Sequence, residues 1–291
     1  MLRLKLLLKG IYIKLRKEIQ MIDINQKFIP EGWDTKDKKL TKENLINAMN
    51  EKAIMQGRVI SCDNNYNLYV ENTDGLNVII PRDEIEAIYI DSLGYPKPNI
   101  CSSKVNRFVQ FQVNKYIEED NTVILSRRKV GIEAINWIKN DLKPGDIVNG
   151  IVTNIRPFGV FVEIGGGISG LLHIENISVA RIKNPNERFK VGQKIKIMIK
   201  SIDKDNNRID LTYKELLGTW EDNIQGLKEG TIIKGIVRNK EELGRGVFIE
   251  IKPNLVGLAE PEENVDYGQE VQAYIKKIVP EKKKIKLVLV K

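Results

Sequence analysis

This 291-residue chain is poor in the residues that build metal sites. It has one histidine, His173, and two cysteines, Cys62 and Cys101, with no Cys-x-x-Cys pair. A structural zinc site needs about four thiolate or imidazole ligands, so one copy of the chain cannot assemble one. We therefore expect no metal and no cofactor. The scarcity of cysteine favours a reducing cytoplasm.

Long apolar runs are missing from the N-terminal segment, where a targeting signal would lie. Within residues 1–20, Lys5 and Lys9 leave only the leucines at 6–8 as an unbroken apolar core. A signal peptide needs about 7 to 15 apolar residues and a membrane helix about 20. We therefore expect this segment neither to direct export nor to span a membrane.

The start of the chain has two interpretations. Lys17 and Glu18 can be encoded by a purine-rich stretch just ahead of Met21, where a bacterial ribosome-binding site would lie. Our hypothesis is that translation begins at Met21 and that residues 1–20 are an untranslated leader. The alternative is a disordered or amphipathic basic segment that touches a membrane or RNA.

Positive charge exceeds negative charge, but unevenly. The 47 Lys and Arg against 39 Asp and Glu give a net charge of +8, which falls to +3 without residues 1–20. Segment 143–214 carries 12 basic and 7 acidic residues, segment 228–291 carries 13 and 10, and segment 51–129 carries 10 and 11. A basic protein favours a polyanionic partner such as nucleic acid, so we expect the middle segment to be its main contact.

Motifs for nucleotide binding and catalysis are absent or incomplete. Gly165, Gly167 and Gly170 spell Gly-x-Gly-x-x-Gly, but the fingerprint requires a helix next, and Leu-Leu-His-Ile continues as a strand. A lone histidine with scattered carboxylates offers no nucleophile, base and orienting group. Acidic turns at Glu118 and Asp203 resemble calcium loops only in composition. We therefore expect a non-enzymatic protein without a small-molecule substrate.

The same pattern of strands occurs three times. Each unit opens with a strand that contains a glycine, at Gly57, Gly150 and Gly235, and continues with an alternating strand, a glycine turn and an apolar strand. Each closes with a further strand pair, such as VGQKIKIMI with RIDLT in the middle unit. Five short strands in roughly seventy residues, separated by Gly, Asn and Asp turns, predict a small closed β-barrel.

Helical patterns lie before and between these units. Thr41 is a favourable helix cap, and Leu45, Ala48 and Met49 follow at helical spacing. Apolar residues recur at intervals of three and four in both spacers between units. We therefore predict an N-terminal extension with a short helix at 21–50, barrel repeats at 51–130, 143–214 and 228–291, and helical linkers at 131–142 and 215–227.

The second strand of the middle unit carries aromatics where packing alone would not place them. Its apolar face is formed by Val160, Val162 and Ile164. Side chains alternate across a strand, so Phe161 and Glu163 lie on the opposite, polar face. An aromatic on a polar face favours a binding role. Phe158, at the start of the strand, could instead fold over the end of the barrel.

Two stretches of the middle unit can be compared with a known family: GDIVNGIVTNIRPFGVFVEIGGGISGLLHIENIS and VGQKIKIMIKSIDKDNNRIDLTYK. They resemble the RNA-binding repeat of bacterial ribosomal protein S-one, an oligonucleotide-binding (OB) barrel, nearly position for position over 145–214. The unit at 230–290 is similar but altered, and the unit at 52–128 is recognisable mainly by its order of strands. The resemblance implies a mostly β protein of three tandem five-stranded OB-fold barrels joined by short α-helical linkers.

The resemblance also implies which side chains meet RNA. In the family these are both phenylalanines of a Phe-Gly-x-Phe pattern, the histidine of the next strand, and an Asp and an Arg beside the last turn. Here they are Phe158, Phe161, His173, Asp203 and Arg208. An aromatic ring stacks on a base for about 1 to 3 kcal/mol, Arg208 meets phosphate, and Asp203 would orient Arg208. Other interpretations are packing for Phe158, a satisfied surface histidine, and an exposed ion pair of little energetic value.

The outer units depart from this set. The aligned positions of the third unit are Arg245, Phe248, Glu260, Val279 and Lys284. The first unit keeps the aromatic spacing with Tyr66 and Tyr69 but has Pro81 at the histidine position. We take Phe248, Lys284, Tyr66 and Tyr69 as further candidate RNA contacts, although the near-neutral first unit favours docking to a protein or to the ribosome.

These observations predict a cytoplasmic protein that binds single-stranded mRNA with little sequence specificity in translation. By the resemblance we expect the small ribosomal subunit as a partner, and no membrane. One alternative is an accessory of RNA decay or an RNA-binding regulator that acts off the ribosome. Another is an adaptor whose barrels bind protein and whose aromatics are packing residues.

Overall fold

The protein consists mainly of β-strands. The computed structural model describes residues 26–33, 40–240, 246–262 and 264–290. Three closed barrels of five strands each are present, which confirms the predicted fold class. The segment 1–20 and the aligned position Arg245 lie outside the described residues.

The first barrel follows a capped helix. Helix α1 (Lys42–Glu51) begins after Thr41, whose hydroxyl accepts a hydrogen bond from the Asn44 amide at 3.2 Å, as the sequence predicts. The barrel strands are β1 (Met55–Cys62), β2 (Leu68–Val70), β3 (Asn77–Ile80), β4 (Phe108–Ile117) and β5 (Thr122–Ser126), and a short helix, α2 (Pro98–Ser102), precedes β4. The core side chains include Leu68, Val70, Ile80, Phe111 and Leu125.

Helix α3 (Arg127–Asn140) follows the first barrel without a break. Ser126, the last residue of β5, caps it by accepting a hydrogen bond from the Lys129 amide at 3.0 Å. The helix therefore starts before the segment predicted at 131–142 and ends at Asn140. The cap explains the difference, because a serine side chain at this position satisfies a free amide of the first turn.

The middle barrel contains strands β6 (Ile147–Arg156), β7 (Gly159–Glu163), β8 (Ser169–His173), β9 (Lys194–Asp203) and β10 (Arg208–Thr212). Between β7 and β8, Gly165, Gly166 and Gly167 have φ angles of 129°, 61° and 81°. Side chains other than glycine rarely adopt this region. The Gly-x-Gly-x-x-Gly pattern is therefore a turn between two strands, as predicted.

The segment at 215–227 forms two short helical turns instead of one linker helix. A 3-10 helix (Lys214–Leu217) ends at Gly218, where φ is 85°. Thr219 then caps helix α4 (Trp220–Asn223) by accepting a hydrogen bond from the Asp222 amide at 3.2 Å. Gly218 ends the first helix because glycine adopts a positive φ readily, and the Thr219 side chain caps a new helix. The segment is therefore divided although its apolar residues have the spacing of one helix.

The third barrel contains strands β11 (Ile232–Lys240), β12 (Val247–Lys252), β13 (Leu255–Ala259), β14 (Glu270–Val279) and β15 (Lys284–Leu289). Its core includes Val237, Ile249, Leu255, Ile275 and Leu287. The strands close in the order β11-β12-β13-β15-β14, and the other two barrels repeat this order. Closure leaves no long edge strand on which another chain could add.

The glycine of each opening strand has a packing reason. A Cβ added at Gly150 would lie 2.4 Å from Cγ1 of Val162 on the second strand of the same barrel, and one at Gly235 would lie 2.4 Å from Cγ2 of Ile249. Real Cβ atoms do not approach other atoms this closely. Glycine is therefore required where the opening strand crosses the second strand.

The chain divides into two compact units, and the middle repeat contributes segments to each. Unit 1 holds the described residues within 1–153, 162–170 and 191–209, and unit 2 holds those within 154–161, 171–190 and 210–291. The repeat boundaries given above stay a prediction. Among the helices of the described residues, none has the length and apolar character needed to cross a membrane.

Candidate nucleic-acid interface

Strand β7 and the turn that precedes it present two aromatic rings, and both lie in unit 2. Its neighbours Val160 and Val162 are fully buried, whereas Phe161 between them is half-buried and Phe158 is 49% exposed. The two rings meet edge to face, with centroids 6.2 Å apart and planes at 87°. The predicted alternation is thus confirmed for these residues. Phe158 keeps half of its surface open, which argues against a pure packing role.

Gly159 explains the spacing of the two rings. A Cβ at this position would lie 2.5 Å from the carbonyl oxygen of Leu172 on β8, so glycine is needed for the two strands to approach. The Phe158 carbonyl also accepts a hydrogen bond from the Ile174 amide at 2.9 Å. The Phe-Gly-x-Phe pattern therefore follows from the pairing of β7 with the chain around the end of β8.

His173 ends β8 and is also in unit 2. Its Nδ1 accepts a hydrogen bond from the Glu175 amide at 3.4 Å and so caps the 3-10 helix Ile174–Asn176. A neutral imidazole whose Nδ1 accepts carries its proton on Nε2. The side chain is 44% exposed, and Nε2 has no partner within the described part of the chain. His173 can therefore donate a hydrogen bond to a ligand from Nε2.

Asp203 and Arg208 flank the turn between β9 and β10 in unit 1. The Asp203 carboxylate accepts hydrogen bonds from the Asp205 and Asn206 amides at 3.1 and 3.0 Å, and from Asn206 Nδ2 at 2.8 Å. These bonds, with the side chain of Asn206 first, lower the pKa of Asp203, and the charge of Arg208 contributes least. Asp203 therefore fixes the turn that precedes Arg208, which is exposed. That Asp203 orients Arg208 stays a prediction.

The five residues predicted from the resemblance thus fall into two groups. Phe158, Phe161 and His173 belong to unit 2, and the phenylalanine rings are in direct contact. Asp203 and Arg208 belong to unit 1 and share one turn. Each group is a coherent local arrangement: an aromatic pair with an imidazole in one, and an exposed guanidinium on a rigid turn in the other.

Glu163 corrects one prediction. It was expected on the polar face with Phe161, but it is 2% exposed. Its carboxylate accepts hydrogen bonds from the Glu31 amide and from the amides of Gly165 and Gly167 at 3.0 and 2.9 Å. Burial, followed by the negative charge of Glu31, raises its pKa to about 7. Glu163 therefore fastens the glycine turn of the middle repeat to the segment at 26–33.

A buried ion cluster continues from this point in unit 1. Lys104 lies 2.6 Å from Glu31 and 3.1 Å from Glu86, and Arg127 contacts Glu31 and lies 2.8 Å from Glu86. Burial alone would raise the pKa of Glu31, but the charges of Arg127 and Lys104 outweigh it and hold the pKa at about 2. The sequence did not reveal this cluster, because its members are widely separated along the chain.

The third repeat keeps part of the candidate surface. Phe248 lies on β12 and is half-buried, and Lys284 begins β15 and is exposed. Glu260, at the histidine position, forms an exposed ion pair with Lys276 at 3.0 Å. Val279 ends β14. The aromatic and the basic group are thus accessible, while the hydrogen-bonding imidazole is replaced by a paired carboxylate.

The two aromatics of the first repeat, Tyr66 and Tyr69, contact polar side chains. The Tyr69 hydroxyl donates a hydrogen bond to the Asp63 carboxylate at 3.3 Å. Tyr66 has a positive φ of 67°, and the Arg82 guanidinium lies 5.0 Å from its ring centroid. Pro81 precedes a 3-10 helix (Arg82–Glu84). The Tyr69 hydroxyl and the Tyr66 ring therefore each contact a polar side chain of the first repeat.

Comparison with known proteins places these residues in a family. Residues 141–214 match the family model described as S1 RNA binding domain. Small ribosomal subunit protein bS1 of Staphylococcus aureus (strain COL) is 35% identical over 196 residues, which cover 62% of this chain and 49% of that protein. The small ribosomal subunit protein bS1 homolog of Bacillus cereus is 32% identical over 229 residues, which cover 73% and 57%.

One relative bears the name of an enzyme. The 4-hydroxy-3-methylbut-2-enyl diphosphate reductase of Clostridium acetobutylicum is 30% identical over 228 residues, which cover 73% of this chain but only 34% of the reductase. The chain spans about half the length of the bS1 relatives and a third of this one. Among the described residues, no group of three or more His, Cys, Asp or Glu side chains could hold a metal ion. With an S1 RNA binding domain at 141–214 and most of its length similar to bS1 proteins, the chain belongs to the S1 RNA-binding domain family.

Proposed function

We propose that this protein binds single-stranded RNA through the outer face of its middle repeat and holds mRNA for translation, without catalysing a reaction. The observation that carries the proposal is the edge-to-face pair of the half-exposed Phe158 and the half-buried Phe161, which lies within the residues that match the S1 RNA binding domain. The exposed imidazole of His173 belongs to the same unit. Such a surface offers stacking and hydrogen bonding to an unpaired base.

The binding energy would come from two sources. Stacking of a base on an aromatic side chain contributes about 1 to 3 kcal/mol and tolerates any base, because every base has a flat face. Arg208 and the excess of basic over acidic residues in 143–214, 12 against 7, would neutralise phosphates. This combination predicts binding with little sequence specificity that weakens as salt rises.

We propose a cytoplasmic location and the small ribosomal subunit as the partner. Support comes from the bS1 relatives, whose names place those proteins in the small subunit. The test is cosedimentation of the native protein with small ribosomal subunits on sucrose gradients at low and high salt. Recovery only in ribosome-free fractions would instead favour a regulator or a decay accessory that acts off the ribosome.

RNA binding is tested with the full chain and a labelled RNA of about ten uridines, at about 50 and 200 mM salt. Wild type, Phe161→Ala and the control Tyr274→Ala are compared. Tyr274 is a suitable control because it is a surface aromatic, 41% exposed, on β14 and outside the residues that match the S1 RNA binding domain. We expect Phe161→Ala to raise Kd about tenfold or more and Tyr274→Ala to leave it unchanged. Equal loss in both variants, or affinity that does not change with salt, would contradict the proposal.

A further inference from the structure

The third barrel carries an open groove of about 490 Å³ where β14 begins and β15 ends. Among its walls are Val265, Glu270, Val271, Gln272, Leu289 and Val290, which all belong to unit 2. No described residue that lines the groove is basic, and none is a candidate RNA contact. The groove is therefore distinct from the candidate nucleic-acid interface.

Strand pairing identifies the same place on the first barrel. The glycine of the opening strand pairs with Val109 in the first barrel and with Val271 in the third. Val109 and Val271 are therefore equivalent, and Gln110 corresponds to Gln272. The other equivalent pairs are Phe108 with Glu270, Lys104 with Asp266, and Arg127 with Leu289.

On the first barrel, this place is covered by the chain's own segment 26–33. The Gln110 side chain donates to the Lys27 carbonyl at 3.2 Å and accepts from the Ile29 amide at 2.7 Å. The Gly32 amide donates to a carbonyl of β4 at 3.0 Å. The glutamine thus holds an extended backbone by a carbonyl and an amide, as a neighbouring strand would.

The side chain that anchors this segment meets opposite charge on the first barrel. Glu31 lies 2.6 Å from Lys104 and also contacts Arg127. In the third barrel the same two positions hold Asp266 and Leu289. The backbone-binding glutamine is thus kept in the third barrel, whereas the charge beside it changes from positive to negative.

The polar groups at the groove are available to a ligand. Asp266 and Glu270 are exposed, and their carboxylates form no ion pair with a described residue. The Gln272 side chain is exposed and makes no hydrogen bond within the described part of the chain. Negative charge repels the phosphates of RNA and attracts lysine or arginine.

Small side chains leave the groove open. In the middle repeat, the rings of Phe189 and Tyr213 pack edge to face with their centroids 5.2 Å apart. The alignment of the third unit with the middle one places Val265 and Leu289 at these positions. These side chains are smaller, so the space that two rings fill in the middle repeat can receive side chains of another segment.

We propose that this groove binds an extended basic segment of a partner protein. Gln272 would hold the backbone of that segment by one carbonyl and one amide, as Gln110 holds residues 26–33. Asp266 and Glu270 would meet a lysine or arginine two residues after the residue whose amide is held, the place that Glu31 has on the first barrel. This site is separate from RNA binding and does not depend on it.

Charge decides between a partner protein and a second copy of the chain. Segment 26–33 of a second copy would bring Glu31 towards Asp266 and Glu270, and like charges repel. A segment with the same backbone conformation and a basic side chain at that position has no such conflict. A partner protein with such a segment therefore fits the groove better than segment 26–33 itself.

The probe is a peptide with the sequence of residues 26–33 and the substitution Glu31→Lys, compared with the unchanged peptide. Each is titrated into the isotope-labelled full chain at about 50 mM salt, and the shifts of the amide signals give Kd. We expect the lysine peptide to bind about three- to fivefold more tightly than the unchanged one. The shifts should lie at Gln272 and Val290.

Three variants at exposed positions test the contacts. Asp266→Lys restores the charge of Lys104, so it should weaken binding of the lysine peptide about fivefold and favour the unchanged peptide instead. Gln272→Ala should weaken binding of both peptides about five- to tenfold. The control is Glu281→Lys, the same change of charge outside the groove, which should leave both affinities unchanged.

The contrary outcomes are distinct. Absence of binding, equal binding of both peptides in wild type and Asp266→Lys, or shifts confined to the first barrel would overturn the proposal. Sedimentation velocity of the full chain tests the other occupant: a dimer that Asp266→Lys dissociates would assign the groove to a second copy and overturn the choice of a partner protein. These assays contain no RNA, so their failure leaves the proposed function standing.

Discussion

The middle and first repeats both carry two aromatics three residues apart, and the two pairs are used differently. Phe158 and Phe161 meet edge to face, and Phe158 is half exposed. Tyr69 instead hydrogen-bonds Asp63, and Tyr66 lies beneath the Arg82 guanidinium. Equal spacing therefore does not give equal surroundings. Since a ring must keep a face open to stack on a base, we expect the two pairs to differ in RNA binding.

The two repeats also differ in how they use charge. Lys104 and Arg127 of the first repeat are buried against Glu31 and Glu86, whereas Arg208 at the last turn of the middle repeat is exposed. Buried pairs serve the fold and its geometry, while an exposed cation is free to meet phosphate. We therefore expect RNA binding to depend more on the middle repeat than on the first.

The largest effect should come from breaking the ion cluster of the first repeat. Arg127→Ala leaves Glu31 and Glu86 buried with only Lys104 as a partner, so we expect the free energy of unfolding to fall by about 3 to 5 kcal/mol. Urea unfolding followed by circular dichroism measures this. The matched control is the neighbouring Arg128→Ala, whose partner is the Asp83 carbonyl and whose cost should stay within about 1 kcal/mol. Similar costs for both variants would refute a structural role for the cluster.

The next largest effect is the loss of RNA affinity on removing each aromatic pair, which compares the two repeats directly. The double variant Phe158→Ala/Phe161→Ala should lose about 2 to 4 kcal/mol of RNA-binding free energy, because two stacking faces are removed. The matched variant Tyr66→Ala/Tyr69→Ala should change it by less than about 0.5 kcal/mol, provided thermal melting shows a folded protein. Fluorescence anisotropy with single-stranded RNA measures both. If the tyrosine variant weakens binding as much, the first repeat binds RNA and the comparison is wrong.

The local features of this protein could be predicted from its sequence. The cap at Thr41, the alternation of Val160 and Val162, and the glycine turn after β7 depend on residues close in the chain, and the structure confirms them. The pattern of strands and glycine turns that occurs three times in the sequence predicts the three barrels that the structure shows. The two-residue alternation of apolar side chains was enough for this prediction, because a strand with one buried face places every second side chain in the core.

Other features depend on partners far away in sequence. The alternation along β7 places Glu163 on the polar face, but its side chain is buried. The amide that donates to it belongs to Glu31, 132 residues earlier, and the alternation within a strand cannot reveal such a partner. For Asp203, the sequence does not reveal that its own turn supplies three hydrogen-bond donors to the carboxylate. The segment at 215–227 contains two short helices for a local reason: Gly218 ends the first and Thr219 caps the second.

A smaller effect should appear as a dependence of stability on pH. The pKa of Glu163 is raised from 4.5 to about 7, so the folded state holds its proton more tightly than the unfolded state. Its contribution is fully present below about pH 4.5 and is lost as pH rises through about 7. We expect about 2 kcal/mol less stability at pH 8 than at pH 5.5. Glu31, with a pKa of about 2, does not titrate in this window.

The control for this dependence is Glu163→Gln, which cannot titrate. We expect the difference between pH 5.5 and pH 8 to disappear in this variant, whatever its overall stability. Urea unfolding at several pH values measures how the free energy of unfolding changes with pH. A variant that is less stable at every pH is then not mistaken for one that has lost the pH dependence. A variant with the wild-type slope would show that another group is responsible.

The smallest effect tests whether the hydroxyl of Tyr69 keeps its ring from RNA. Tyr69→Phe removes the hydroxyl that donates to Asp63 and restores a ring like that of Phe161, at a cost of about 1 kcal/mol in stability. If only the hydrogen bond withholds this ring from RNA, affinity should rise in the variant. We expect it to stay unchanged, because Asp63 also receives bonds from Asn65 and Asn67 and remains a charge beside the ring. A gain in RNA affinity with an intact fold would show that the hydroxyl alone separates the two repeats.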